Sequence, residues 1–342
     1  MTLSAGVARS GIHGAGRLRR HDDGRARLRL AALAIAMVGA MVGAILTAPA
    51  NGRVAAPPRV YGLAVPGAPT DLTALDAATS AVGVAPGQVA FYTAWAYGGD
   101  FPASAAAAIA GRGAVPELVW EPWDPSAGTN QPAYSLATIA AGTYDGYLAR
   151  WAREIKTYGA PVVIRFAHEM NTDWYPWSES ANGNRPGAYV AAWRHVVGLF
   201  SAAKVKNVSW EWAPNVPQGG SVPLAQLYPG DGYVQRVALD GYNWGTSQSW
   251  SSWQSFADVF GSGVAQLVKL SSRPIYVAET ASAEAGGSKA AWISDMWTWL
   301  SRHPEVRGVT WFDVNKETDW RIDSTEASLT AFRAGLSGFL TG

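Results

Sequence analysis

The chain has 342 residues, 27 Lys+Arg against 26 Asp+Glu, 17 Trp against nine Phe, and no Cys. Without cysteine there is no disulfide framework, thiol nucleophile, Cys-ligated metal or lipid-modified N-terminal cysteine, so the fold must be held by core burial. Arg9, Arg17, Arg19, Arg20, Arg25, Arg27 and Arg29 all fall early, and setting residues 1–50 aside leaves 20 basic against 24 acidic side chains, a net charge of −4; no basic surface remains to neutralise phosphates, which argues against a nucleic-acid partner.

In chain order, residues 1–50 read first as an export signal. The seven arginines form a basic region, Leu30 to Ala50 follows as 21 uncharged residues, and Ala48-Pro49-Ala50 offers a small-residue cleavage pattern. The expected product is a secreted protein beginning near Asn51; the alternative is a retained membrane anchor facing outside, since about 20 apolar residues can span a bilayer. Residues 51–58 are Pro- and Ala-rich and read as a short linker.

From there, short β-prone runs alternate with helical patterns. The runs are Val60–Ala64, Val89–Trp95, Val115–Trp120, Val162–Ala167, Val208–Trp212, Val237–Gly241, Ile275–Ala278 and Val309–Phe312. Several are near-continuous apolar stretches, as expected of parallel strands covered on both faces. Helical patterns include Ser135–Tyr158, Ala188–Ala203, Phe256–Leu270 and Ala290–Arg302, with Gly or Pro at many boundaries. Eight βα units over residues 59–342 predict one (β/α)₈ TIM barrel of the α/β class. An open doubly wound sheet would be expected to show a Gly-x-Gly-x-x-Gly turn, which is absent.

In such a barrel the active site lies where the strands end. Those positions are dense in carboxylates and indoles: Trp120, Glu121, Trp123 and Asp124 after strand three, His168-Glu169-Met170-Asn171 and Trp174 after strand four, Asn215 after five, Asp240, Tyr242 and Trp244 after six, Glu279 after seven, and Trp311 at eight. Indole faces pack well on the apolar faces of sugar rings. Glycoside hydrolysis needs two carboxyl groups facing one bond, and Glu169 and Glu279 fall on opposite sides of the predicted mouth.

The segment Arg165-Phe166-Ala167-His168-Glu169-Met170-Asn171 with Trp174-Tyr175-Pro176-Trp177, the strand Val277-Ala278-Glu279-Thr280 and the run Asp240-Gly241-Tyr242 resemble glycoside hydrolase family 26, the β-mannanase-like family. The resemblance covers residues 58 to 340. It implies Glu169 as acid/base, Glu279 as nucleophile, Arg165 and His168 supporting them, Tyr242 donating to the nucleophile, and Trp174 and Trp311 stacking on sugars. Trp120, Trp123, Trp244, Asp240 and Asn215 complete the expected substrate-binding set. The implied activity is a retaining endo-β-glycanase on a polysaccharide, β-1,4-mannan first, with mixed-linkage β-1,3-1,4-glucan or β-1,3-xylan as alternatives. Where mannanases of the family carry a substrate-binding His after strand three, this chain has Glu121.

Other chemistries fit less well. A zinc hydrolase would need His at position 172, which is Thr, and a serine esterase would need Gly-x-Ser-x-Gly. A non-catalytic carbohydrate-binding barrel would keep the tryptophans but require neither glutamate. No metal or cofactor is expected, and the chain is expected to act as a monomer.

Overall fold

The computed structural model describes residues 57–342; the expected export signal and all but the last two residues of the linker lie outside the described residues. Eight parallel strands close into one barrel in sequence order. They are β1 (Val60–Ala64), β2 (Gln88–Ala94), β3 (Val115–Glu121), β4 (Val162–Phe166), β5 (Val208–Trp212), β6 (Arg236–Asp240), β7 (Ile275–Thr280) and β8 (Val306–Phe312). The ring closes by β1 pairing β8, with Val60 opposite Gly308 and Ala64 opposite Phe312. This is the expected TIM barrel, with strand ends within three residues of those read from the sequence.

Helices cover the outside, among them Thr73–Val82, Ala103–Ala110, Asp145–Tyr158, Ala188–Ala202, Phe256–Leu270, Lys289–Ser301 and Glu326–Thr341. Their ends have local causes. Ser255 and Asp258 form a reciprocal capping box at the start of 256–270, while Ser288 and Thr325 accept from backbone N–H groups of the helices that follow them. Between β5 and β6 there are only the short α-turn Leu224–Leu227 and the 3-10 turn Asp231–Tyr233. The helical pattern expected over Ser135–Tyr158 is broken: Leu136–Ala140 and Asp145–Tyr158 are separate, and between them Gly142 takes φ +86°, which ends the first helix.

Strand alternation sorts the side chains into two layers. One set faces the helices and builds the main core: Leu63, Phe91, Leu118, Trp120, Ile164, Phe166, Trp210, Trp212, Leu239, Val277 and Trp311 are all buried there. The other set faces the barrel axis, and much of it is polar: Gln88, Glu117, Arg165, Glu211, Arg236, Asp240 and Thr310 are buried. The barrel axis is therefore filled by hydrogen-bonded and ion-paired groups along with small residues such as Ala90 and Ala238.

Candidate active site

At the mouth of the barrel a cleft of about 1400 Å³ is lined by Glu169, Glu279, His168, Trp123, Trp174, Asn215, Tyr242 and Trp244. Glu279 is aimed there by a bulge. Val277 pairs Leu239 on β6, but the next pair is Asp240 with Glu279, so Ala278 is an extra residue. Strict alternation would have turned Glu279 toward the helices; the extra residue returns it to the axis.

Three donors converge on the Glu279 carboxylate. Tyr92 Oη donates to Oε1 at 2.6 Å, Tyr242 Oη donates to Oε2 at 2.7 Å, and Arg165 Nη1 lies 2.8 Å from Oε1. Burial, the largest single influence, pushes its pKa up, but the charges of Arg165 and His168 and the two tyrosine hydroxyls outweigh it, leaving the group below its usual range. Burial holds both phenols well above their ordinary pKa, so they stay protonated donors.

Glu169 sits in a strained loop. Ala167 and Glu169 have φ of +46° and +52°, a region costly for residues with a Cβ. The contacts that hold it include Tyr189 Oη to the Ala167 carbonyl at 3.2 Å, Trp177 Nε1 to the His168 carbonyl at 2.6 Å, and Glu169 N–H to the Ala213 carbonyl at 2.8 Å. The carboxyl accepts from Trp174 Nε1 at 2.8 Å and Asn215 Nδ2 at 2.7 Å. Burial dominates here and the neighbouring Glu279 adds to it, so Glu169 is raised despite the His168 charge and these two donors. The two glutamates are thus driven in opposite directions.

Below them lies a charged floor. Arg165 ion-pairs with Asp240 at 3.0 Å and Glu117 at 2.9 Å. Glu117 is joined by Gln88, which accepts from Arg236 at 2.9 Å, and Arg236 pairs with Glu211 at 3.2 Å. His168 places Nδ1 3.2 Å from Asp240 and Nε2 3.3 Å from Glu121. Both ring nitrogens face carboxyl oxygens, an arrangement that favours the doubly protonated imidazolium. Burial opposes that charge, but the bonds to Asp240 and Glu121 and the nearby Glu279 and Glu169 push its pKa up to about 10.

His168, Glu169 and Asp240 also offer one potential metal-ligand atom each within 4.8 Å of one another. Those atoms are committed elsewhere: Asp240 to Arg165 and His168, Glu169 to Trp174 and Asn215. Thr172, where a metal-binding motif would need His, bonds the Glu169 carbonyl instead.

Arg165 and Asp240 are buried beneath the cleft and reach it only through Glu279 and His168. Trp120 and Trp311, expected to line the cleft, do not. Both are fully buried on the helix side: in β3 the residues facing the axis are Glu117 and Glu121, and in β8 they are Thr310 and Phe312, so the tryptophan between each pair points outward. Trp120 donates to Tyr147 Oη at 3.1 Å. Trp311 acts from behind the wall, donating to the Trp320 carbonyl at 2.8 Å, and Trp320 and Phe312 line the cleft in its place. Sequence reasoning also missed Tyr92, whose parity in β2 with the buried Gln88 was the available signal.

Two carboxyl groups at the same barrel mouth, one with its pKa raised and the other with its pKa lowered, are what glycosidic bond cleavage requires, so the class of protein that this fold and site define is a glycoside hydrolase. Residues 134–301 match the family model of glycosyl hydrolase family 26, and the chain belongs to that family. It is 40% identical over 234 residues to endoglucanase H of Acetivibrio thermocellus, covering 67% of this chain and 25% of that protein. It is 34% identical over 95 residues to mannan endo-1,4-beta-mannosidase A and B of Caldalkalibacillus mannanilyticus, covering 26% of this chain and 18% of that protein. The chain thus spans about a quarter or less of the length of these two relatives. The solved catalytic domain of the GH26 endo-beta-1,4-mannanase from Bacillus sp. JAMB-750 superposes with a TM-score of 0.62 at 18% identity, covering 82% of this chain and 86% of that one, a likeness of fold.

Proposed function

We propose that this chain is a retaining endo-β-glycanase with Glu169 as acid/base and Glu279 as nucleophile. The observation that carries the reading is the opposed electrostatics of the two glutamates. Glu279 attacks the anomeric carbon as Glu169 gives its proton to the departing glycosidic oxygen, leaving a glycosyl ester on Glu279. Glu169, now ionised, takes a proton from water, whose oxygen attacks the same carbon and frees Glu279. His168 and Arg165 supply positive charge beside the pair, and the open cleft with Trp123, Trp174 and Trp244 accommodates a chain cut internally.

For the backbone, the longer and more identical relative is named an endoglucanase, which favours β-glucan; β-1,4-mannan, the first expectation from sequence, keeps the support of the shorter match. A panel of barley β-glucan, lichenan, mannan, galactomannan, glucomannan and β-1,3-xylan, with product sizing and anomer detection, tests the reading. Cleavage of glucan but not mannan selects the first backbone, and the reverse restores mannan. Inverted product contradicts the double displacement, and no cleavage of any β-glycan contradicts the activity. The N-terminal segment supports a further proposal, that the enzyme is exported and works outside the cell.

A further inference from the structure

All four aromatic side chains that stand exposed among the described residues, Tyr92, Tyr97, Trp174 and Trp250, line the cleft. Tyr92 and Trp174 are bonded to the two glutamates. Tyr97 and Trp250 touch neither, yet they are the most exposed, at 73% and 70%. Leaving that much aromatic surface in water has a cost that a flat apolar ligand removes.

The closed ring places them. With the glutamates at the ends of β4 and β7, the loops after β2, which carries Tyr97, and after β6, which carries Trp250, fall on opposite sides of the line between the glutamates. An unbroken aromatic path leads from the nucleophile to Trp250. Tyr242 packs against Trp320 at 5.2 Å between ring centroids, Trp320 against Trp244 at 4.9 Å, and Trp244 against Trp250 at 5.2 Å.

Both outer residues are held on braced supports. The Asn243 side-chain oxygen accepts from the N–H groups of Gly245 and Gln254, tying the two ends of the Trp250 loop together, and Ser251 Oγ bonds the Gly245 carbonyl at 2.8 Å. Gly245, at φ +53°, lies so close to the Ala285 carbonyl that no side chain fits there. Tyr97 ends a short turn anchored by Trp95, which is buried and stacked on Phe166 at 5.7 Å. A platform fixed in advance pays little ordering entropy when a ligand lands on it.

We infer that Trp250 and Tyr97 are the outermost sugar-stacking positions at opposite ends of the cleft, so that full rate requires a glycan chain long enough to rest on both. The inference rests on the glycanase reading and deepens it by naming the residues that set preference for long chains. The test compares Trp250→Ala and Tyr97→Ala with the parent enzyme on the polysaccharide it cleaves best and on an aryl disaccharide glycoside. The expected result is a drop of about tenfold or more in the polymer-to-disaccharide ratio of kcat/KM for each variant, the loss of about 1.4 kcal/mol. An unchanged ratio overturns the inference. A second arm uses the Glu279→Ala protein and tryptophan fluorescence with cellohexaose and mannohexaose: hexaose should bind more tightly than triose, and adding Trp250→Ala or Tyr97→Ala should shrink that advantage. Equal affinity for triose and hexaose in the Glu279→Ala protein also overturns it. Failure of the glycanase reading looks different, with no hydrolysis and no oligosaccharide binding at any length, and would remove this inference with it.

Discussion

Replacing Tyr92 by Phe removes one of three donors to Glu279 and leaves the ring in place. The lost bond is short, 2.6 Å, and ends on a buried carboxylate, where a hydrogen bond to a charged group is worth about 1.5–3 kcal/mol. At 1.36 kcal/mol for each tenfold change in protonation, that corresponds to about one to two pH units. Tyr242 and Arg165 stay on the carboxylate when Tyr92 is lost, so the lower end of the range applies. The sign follows from the ionised form being the one that attacks: losing a donor raises the Glu279 pKa, and the acidic limb of kcat/KM moves to higher pH by about one pH unit. The assay is kcat/KM against pH with an activated aryl glycoside, since kcat/KM reports groups in the free enzyme. Thermal melts give an independent reading. A carboxyl lowered by folding adds stability above its unfolded pKa, which disappears as pH falls through the folded value. The Tm deficit of Tyr92→Phe should therefore be present at neutral pH and narrow in acid. An acidic limb that stays still or moves lower in a well-folded variant would refute the reasoning.

With an activated aryl glycoside, Glu169→Ala should accumulate the glycosyl-enzyme and be rescued by azide to a product of retained anomer, whereas Glu279→Ala should not form the intermediate; a fluorosugar trapped on any other residue contradicts the assignment. Asn215→Ala removes a donor that favours ionised Glu169, so the basic limb should move to higher pH, and movement the other way would place the general acid elsewhere. Trp120→Ala and Trp311→Ala should each cost about 3–5 kcal/mol of stability, read as a lower Tm; weaker oligosaccharide binding at unchanged Tm would return either residue to the cleft. N-terminal sequencing of the secreted protein should find a start near Asn51, and recovery of only full-length, membrane-bound chain would favour the anchor.

The barrel was legible in the sequence because each strand is a short apolar run ending in chemistry-bearing residues, and Glu169 and Glu279 stood out because they follow strands four and seven. What failed was facing. Trp120 and Trp311 were placed in the cleft because they end strands, yet Glu117 and Glu121 share one parity in β3, and polar groups on that parity belong on the axis of a barrel whose outside is covered by helices. Applying the same rule to β7 would have sent Glu279 the wrong way, because the bulge at Ala278 is a feature of pairing with two neighbours and leaves no mark in one strand read alone. Trp320 escaped notice since it lies beyond the last strand and reaches the cleft through the Trp311 hydrogen bond. Asn215 was nominated, but its partner Glu169 is 46 residues away, a pairing that only the closed ring brings about.

The ion pairs that fill the barrel axis also constrain how its sequence can change. Neutralising Arg165, Arg236 or Glu211 alone strands a charge out of reach of water, at a cost of about 3–5 kcal/mol, whereas exchanging a whole buried set for apolar residues of similar volume can be neutral or favourable. Arg165 is excluded from such an exchange because it also bonds Glu279, but Gln88, Glu117, Glu211 and Arg236 lie one layer further down. These four positions are open to replacement together, so engineering for heat tolerance has to redesign them as a block, and Arg165 keeps Asp240 and Glu279 as its acceptors through the exchange.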